Sequence, residues 1–127
     1  MRCTIGQQLS NDNHMIKIYH NPRCRKSREG LAVLEGSGKD YEVVKYLENI
    51  PTKAELRSIL NCLGLSPENL VRKNEAIWKE NYRSRMLSDE EILDAMILHP
   101  KLIERPIVVN GNKAVIGRPP ERISELL

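Results

Sequence analysis

The segment His20-Asn21-Pro22-Arg23-Cys24-Arg25-Lys26-Ser27-Arg28 surrounds one cysteine with basic side chains, a histidine upstream and a serine downstream. A structural cysteine prefers apolar neighbours. A cysteine that must ionise, or must meet an anion, is better served by cations. The thiolate is the nucleophile. A free thiol has a pKa of about 8.5, and helix N-termini or neighbouring cations lower it to roughly 3.5–7.5. Arg23, Arg25, Lys26 and Arg28 supply such cations here. Cys24 and Ser27 form a Cys-x-x-Ser, with a hydroxyl placed to donate to the sulfur and no second sulfur to close a disulfide. Any adduct or oxidised product on Cys24 then needs an outside thiol to clear it. His20 is a candidate tuning cation or a residue that shapes the turn. The bland alternative, a solvated basic stretch around an unreactive cysteine, fits the same nine residues.

The elements that position this segment follow from the pattern around it. MIKIY, 15–19, alternates and is rich in isoleucine, which reads as a strand. Residues 20–23 are turn-like, and CRKSREGLAVLEGSG reads as a helix stopped by Gly36 and Gly38. Cys24 therefore falls at a helix start, where unpaired N–H groups and the helix dipole favour negative charge. Cations there oppose the dipole, and a bound anion would resolve the mismatch. YEVVKYL, 41–47, reads as a second strand, parallel to the first through a right-handed crossover.

A helical middle follows. Thr52 and Glu55 form a capping box before Leu56, Ile59, Leu60 and Leu63, Ser66-Pro67 starts a short helix, and 76–82 is helical. Ser88 and Glu91 form a second box before Ile92, Leu93, Met96 and Ile97, stopped by Pro100. IVVN, 107–110, returns to strand, Asn110-Gly111 signals a hairpin, KAVIG runs back, and Pro119-Pro120-Glu121 opens a closing helix. The order β-α-β, helices, β-β-α is an α/β, thioredoxin-like layout: a mixed four-stranded sheet with a helical insertion between its halves. In that layout the Arg105-Pro106 bond is expected to be cis, with Arg105 held toward the helix-start cysteine. Arg118 follows the last strand and Arg72 lies within the insertion. Guanidinium forks pair with oxyanions in a bidentate way that lysine does not match. Each arginine alone reads as an exposed side chain, and spacing does not show that the three converge.

The segments IYHNPRCRKSRE, LVRKNE, RPIVVN and IGRPPE, in order from Met15 to Leu127, closely resemble the glutaredoxin-dependent arsenate reductases of the arsenate reductase/Spx family. The resemblance implies that Cys24 is the nucleophile, that Arg72, Arg105 and Arg118 contact the oxyanion, and that His20 and Ser27 support the cysteine. It implies reduction of arsenate to arsenite through a thioarsenate adduct on Cys24. Glutathione or another external thiol would be co-substrate and a glutaredoxin-type protein the reductant, with no tightly bound cofactor. One departure stands out: Arg25-Lys26 replaces the small residues that follow the cysteine in the best-studied branch. Two other readings share the fold. A regulator of the Spx type binds RNA polymerase, but usually carries Cys-x-x-Cys. A glutaredoxin-like thiol-disulfide oxidoreductase is compatible with Cys-x-x-Ser.

The remaining composition narrows the field. The chain has 127 residues, enough for one domain, expected over 15–127 behind a disordered extension at 1–14. The first fourteen residues lack the apolar stretch of a secretory signal, and no run is long enough to span a membrane. A formal net charge of +3 does not suggest nucleic-acid binding. Cys3, Cys24 and Cys62 are irregularly spaced; they make neither a disulfide framework nor a metal site, and agree with a reducing, cytoplasmic setting. Cys62, beside Leu60 and Leu63, reads as a packed small hydrophobe, and the protein as a monomer.

Overall fold

Strand β1 (Ile16–Tyr19) sends Ile16 and Ile18 to one side of a sheet and Tyr19 to the other, and both sides are buried. The same holds for β3 (Ile107–Asn110), where Val108 faces one core and Ile107 and Val109 the other. That two-sided burial explains an unbroken apolar run in the sequence. These are features of a computed structural model that describes residues 16–127. The leader at 1–14, with Cys3, and Met15 lie outside the described residues.

The sheet has four strands in the order β2-β1-β3-β4, with β2 at Tyr41–Val44 and β4 at Lys113–Ile116. β1 and β2 run parallel, while β3 is antiparallel to both β1 and β4. One face is covered by helix α1 (Arg25–Ser37) and a closing 3-10 turn, Pro120–Leu126, around Leu34 and Ile123. The other face is covered by the insertion: α2 (Lys53–Leu63), α3 (Pro67–Leu70), α4 (Ala76–Asn81) and α5 (Asp89–Leu98), followed by a 3-10 turn at Pro100–Leu102. This is the expected thioredoxin-like fold with its helical insertion.

Local differences from the sequence reading have physical reasons. The second strand stops at Val44 because the chain turns at Lys45, whose carbonyl accepts from both Glu48 N–H (2.9 Å) and Asn49 N–H (2.8 Å). The turn carries Tyr46 inward, to 1% exposure. At α2 only half of the capping box forms. Thr52 accepts from Glu55 N–H at 3.0 Å, but the Glu55 carboxylate is taken by the Tyr19 hydroxyl, which donates to it at 2.8 Å. The box at Ser88 and Glu91 is complete. In the hairpin Asn110 stays in the ladder opposite Lys113, so the loop is Gly111-Asn112, one residue later than expected. Gly111 has φ +66°, a conformation that favours glycine. The Asn110 amide instead donates to Leu126 O at 2.7 Å and ties down the C-terminal turn.

Lys53 and Arg57 of α2 bind Glu90 of α5 at 2.8 and 2.6 Å, and Lys53 also reaches Asp94 at 2.8 Å. Hydrogen bonds from Arg57 and then Lys53 hold the Glu90 carboxyl down at about 2. The network is exposed and orients the two helices more than it stabilises them.

Candidate active site

Sheet topology brings the sequence-predicted residues to one edge. The C-terminal ends of the parallel strands β1 and β2, the start of β3 and the end of β4 all lie there, since Tyr19 pairs with both Val44 and Ile107, and Ile107 with Ile116. The loop to Cys24 leaves from β1. Arg105 comes just before β3, and Arg118 just after β4. Arg72 arrives by a separate route. Residues 70–72 run antiparallel beside 102–104 through a Val71–Ile103 bridge, an Arg72 N–H to Leu102 O bond (2.6 Å) and a Glu104 N–H to Leu70 O bond (3.1 Å).

Cys24 is the N-cap of α1, with extended backbone (φ −95°, ψ 123°), no side-chain cap bond and no acidic residue in the helix's first turn. It is half-buried and a free thiol. Its loop is shaped by Asn21: the backbone carbonyl accepts from Cys24 N–H at 3.0 Å and the side-chain oxygen from Arg23 N–H at 3.0 Å. The adjacent basic side chains do not turn onto the sulfur. Arg25 and Lys26 lie near Glu29 of their own helix at 3.2 and 3.9 Å, both exposed, and Arg28 donates to Pro22 O at 2.9 Å.

Ser27 departs from its expected role, and His20 takes the second of its two. Ser27 is fully buried; its oxygen accepts from Asn21 N–H at 3.0 Å and lies 2.6 Å from His20 Nδ1. It makes no hydrogen bond to Cys24 among the described residues, so the serine locks the turn instead of donating to the sulfur. The reason is placement: N3 of the helix faces inward, while the N-cap stays at the rim. Burial, and then the charge of Lys45, push the His20 imidazole below its ordinary pKa. His20 is therefore neutral at pH 7 and does not serve as a cation beside the thiol. Its N–H to Val44 O bond (2.9 Å) and its Ser27 contact make it a turn-shaping residue.

Arg72 and Arg118 come together on a carboxylate the sequence reading missed, and Arg105 joins them through its backbone, its N–H donating to Glu104 at 3.1 Å. Glu104 lies 3.3 Å from Arg72 Nε and 3.5 Å from Arg118 Nε, and Arg118 Nε also donates to Arg105 O at 2.9 Å. Arg72 is further held by Glu75 at 2.6 Å and is only 15% exposed. The Arg105-Pro106 bond is cis, as expected, and so is Arg118-Pro119. The Pro106 ring fills the gap between Gly30 of α1 and Gly117: a Cβ at Gly30 would stand 2.8 Å from the ring's Cγ, and one at Gly117 3.1 Å. Those glycines let the nucleophile's helix and the arginine loops close onto one another. Glu104 carried no periodic or motif signal, although its place next to Arg105-Pro106 was a clue.

Cys62 is partly buried against the larger core, as read. No group of three or more His, Cys, Asp or Glu among the described residues is arranged to hold a metal ion. Among the same residues no helix is long and apolar enough to cross a membrane.

A thioredoxin-like sheet with a cysteine at its first helix start and arginines gathered at the same edge defines a thiol protein of the oxyanion-handling type. The ArsC family model matches residues 19–126, and the chain belongs to that family. It is 50% identical over 114 residues to the uncharacterized protein YfgD of Escherichia coli K12, covering 88% of this chain and 96% of that one. It is 46% identical over 114 residues to an arsenate reductase of Neisseria meningitidis serogroup B, covering 88% of this chain and 97% of the relative. Among solved structures, an arsenate reductase from Vibrio cholerae superposes with a TM-score of 0.86 at 46% identity, over 91% of this chain and all of that one (100%).

Proposed function

We propose that the protein is an arsenate reductase that acts through Cys24, in a cytoplasmic setting and as a monomer. The observation that carries the reading is the pairing of Arg72 and Arg118 on Glu104, with Arg105 tied to Glu104 and Arg118 through its backbone, at the sheet edge where the loop from β1 delivers the free thiol of Cys24. Kinship with proteins named arsenate reductase gives the substrate.

Arsenate binds to the arginine forks and to the uncapped N–H groups at the start of α1. The Cys24 thiolate attacks arsenic, an As–S bond forms, and an arsenate oxygen leaves as water. An external thiol, glutathione or a similar small thiol, then adds to the adduct and displaces a second oxygen. Arsenic leaves with two electrons as arsenite when the two sulfurs join. A glutaredoxin-type partner resolves the resulting mixed disulfide and regenerates Cys24. Overall, arsenate and two thiols give arsenite, a disulfide and water. The arginines stabilise charge on the oxyanion as the arsenic is attacked.

The test is arsenite production by the purified protein with glutathione and glutaredoxin, beside Cys24→Ser. Activity in the wild type and none in the variant is expected. Arsenite formation that survives the substitution overturns the mechanism. Turnover of a glutathione mixed disulfide but not of arsenate moves the protein to the glutaredoxin class.

A further inference from the structure

Two buried polar atoms near the site have no hydrogen-bond partner among the described residues: the Tyr46 hydroxyl and Arg105 Nε. Orphaned buried donors are rare because desolvation is uncompensated. The same core shows the ordinary solution, since the other fully buried tyrosine, Tyr19, donates its hydroxyl to Glu55 at 2.8 Å. Tyr46 is buried to the same degree, at 1% exposure, with nothing equivalent.

Its position is set by the turn after β2. Val44 accepts from His20 N–H at 2.9 Å, so the turn at Lys45–Asn49 lies against the loop that leads to Cys24. Burial is the main cause that holds the Tyr46 phenol above its ordinary pKa; Cys24, Glu104 and Glu75 add to it, while Arg72 opposes. The hydroxyl is thus in electrostatic reach of the thiol and of the Arg72–Glu104 pair at once, and it stays protonated. An oxyanion offers several acceptor oxygens, enough for more than one donor.

The geometry points to Tyr46 as a substrate-contacting residue whose O–H donates to an oxygen of the oxyanion bound between Cys24 and the arginines, beside Arg105 Nε–H. This rests on the oxyanion reading above and adds to it a neutral donor from an element that carries none of the family-like motifs. It supplies orientation without adding charge, and keeps doing so across the physiological pH range.

Tyr46→Phe tests it, with three readouts: steady-state arsenate reduction, the arsenate concentration that protects Cys24 from iodoacetamide, and the melting temperature without arsenate. The expected result is kcat/KM for arsenate down about 10- to 100-fold, the range for a hydrogen bond to a charged group, and a similar rise in the protecting arsenate concentration. The melting temperature should stay equal or rise, because the variant removes an unpaired hydroxyl. Unchanged kinetics and protection overturn the inference while leaving the reductase reading intact. A loss of activity matched by a lower melting temperature and unaltered protection also overturns it, as a packing effect. A wild type that forms no arsenite overturns the reductase reading; protection by arsenate that weakens in Tyr46→Phe would still uphold the contact, and no protection in either protein would sink it.

Discussion

Two sets of cations border the thiol, and they are built on opposite plans. Arg23, Arg25, Lys26 and Arg28 adjoin Cys24 in sequence, yet Arg25 and Lys26 extend into solvent at 82% and 52% side-chain exposure, near Glu29 of their own helix. Arg72, Arg105 and Arg118 lie 48 to 94 residues beyond Cys24 along the chain, yet strand pairing and the Val71–Ile103 bridge deliver them to one edge, where Arg72 and Arg118 share Glu104. Exposed charges lose most of their effect to solvent and salt, whereas part-buried forks keep theirs. The lesson is that neighbours in the sequence supply a diffuse field, and neighbours through the fold supply a socket.

The sharpest way to break that contrast is Arg105→Lys. It keeps the charge but removes the fork, and kcat/KM for arsenate should fall about 10- to 100-fold; a fall under about 3-fold would mean that charge alone matters there. A smaller effect concerns stability. The folded-state pKa of His20 is lowered by burial and by Lys45 and Arg28, against its bond to Ser27. The stabilisation is therefore complete above the ordinary histidine value near 6.5 and is lost as pH falls below it. Glu90, held at about 2, titrates below that window. Thermal melts from pH 7.5 to 5 should show the loss, and His20→Asn should flatten it; an equal slope in the variant would place the effect elsewhere. The smallest expected change is the other half of the contrast. Arg25→Ala should alter kcat/KM by less than about 3-fold, and that difference should vanish in added salt. A drop equal to that of Arg105→Lys would erase the distinction between field and socket.

The elements were legible where local signals are strong: the alternation in β1, the glycine stop after α1 (Gly38, φ +76°) and the complete box at Ser88. The convergence of the arginines was not, because it depends on the bridge beside Ile103 and on sheet order, neither of which leaves a periodic trace. Ser27 was misassigned for a related reason. Spacing put it three residues from the sulfur, but burial turned its oxygen to His20 and Asn21. Tyr46 was read as the end of a strand, and its inward position comes from the two bonds to Lys45 O. What sequence patterns conveyed was which face is apolar; what they omitted was which polar atoms remain without partners.

The contact of Pro106 with Gly30 and Gly117 has a mechanical corollary. The helix that begins beside Cys24 and the two loops that hold Arg105 and Arg118 press on a single five-membered ring. Attacking atom and anion cradle are thus calibrated against a common stop, so the gap between them is gauged by backbone contact and not by the reach of long, mobile side chains.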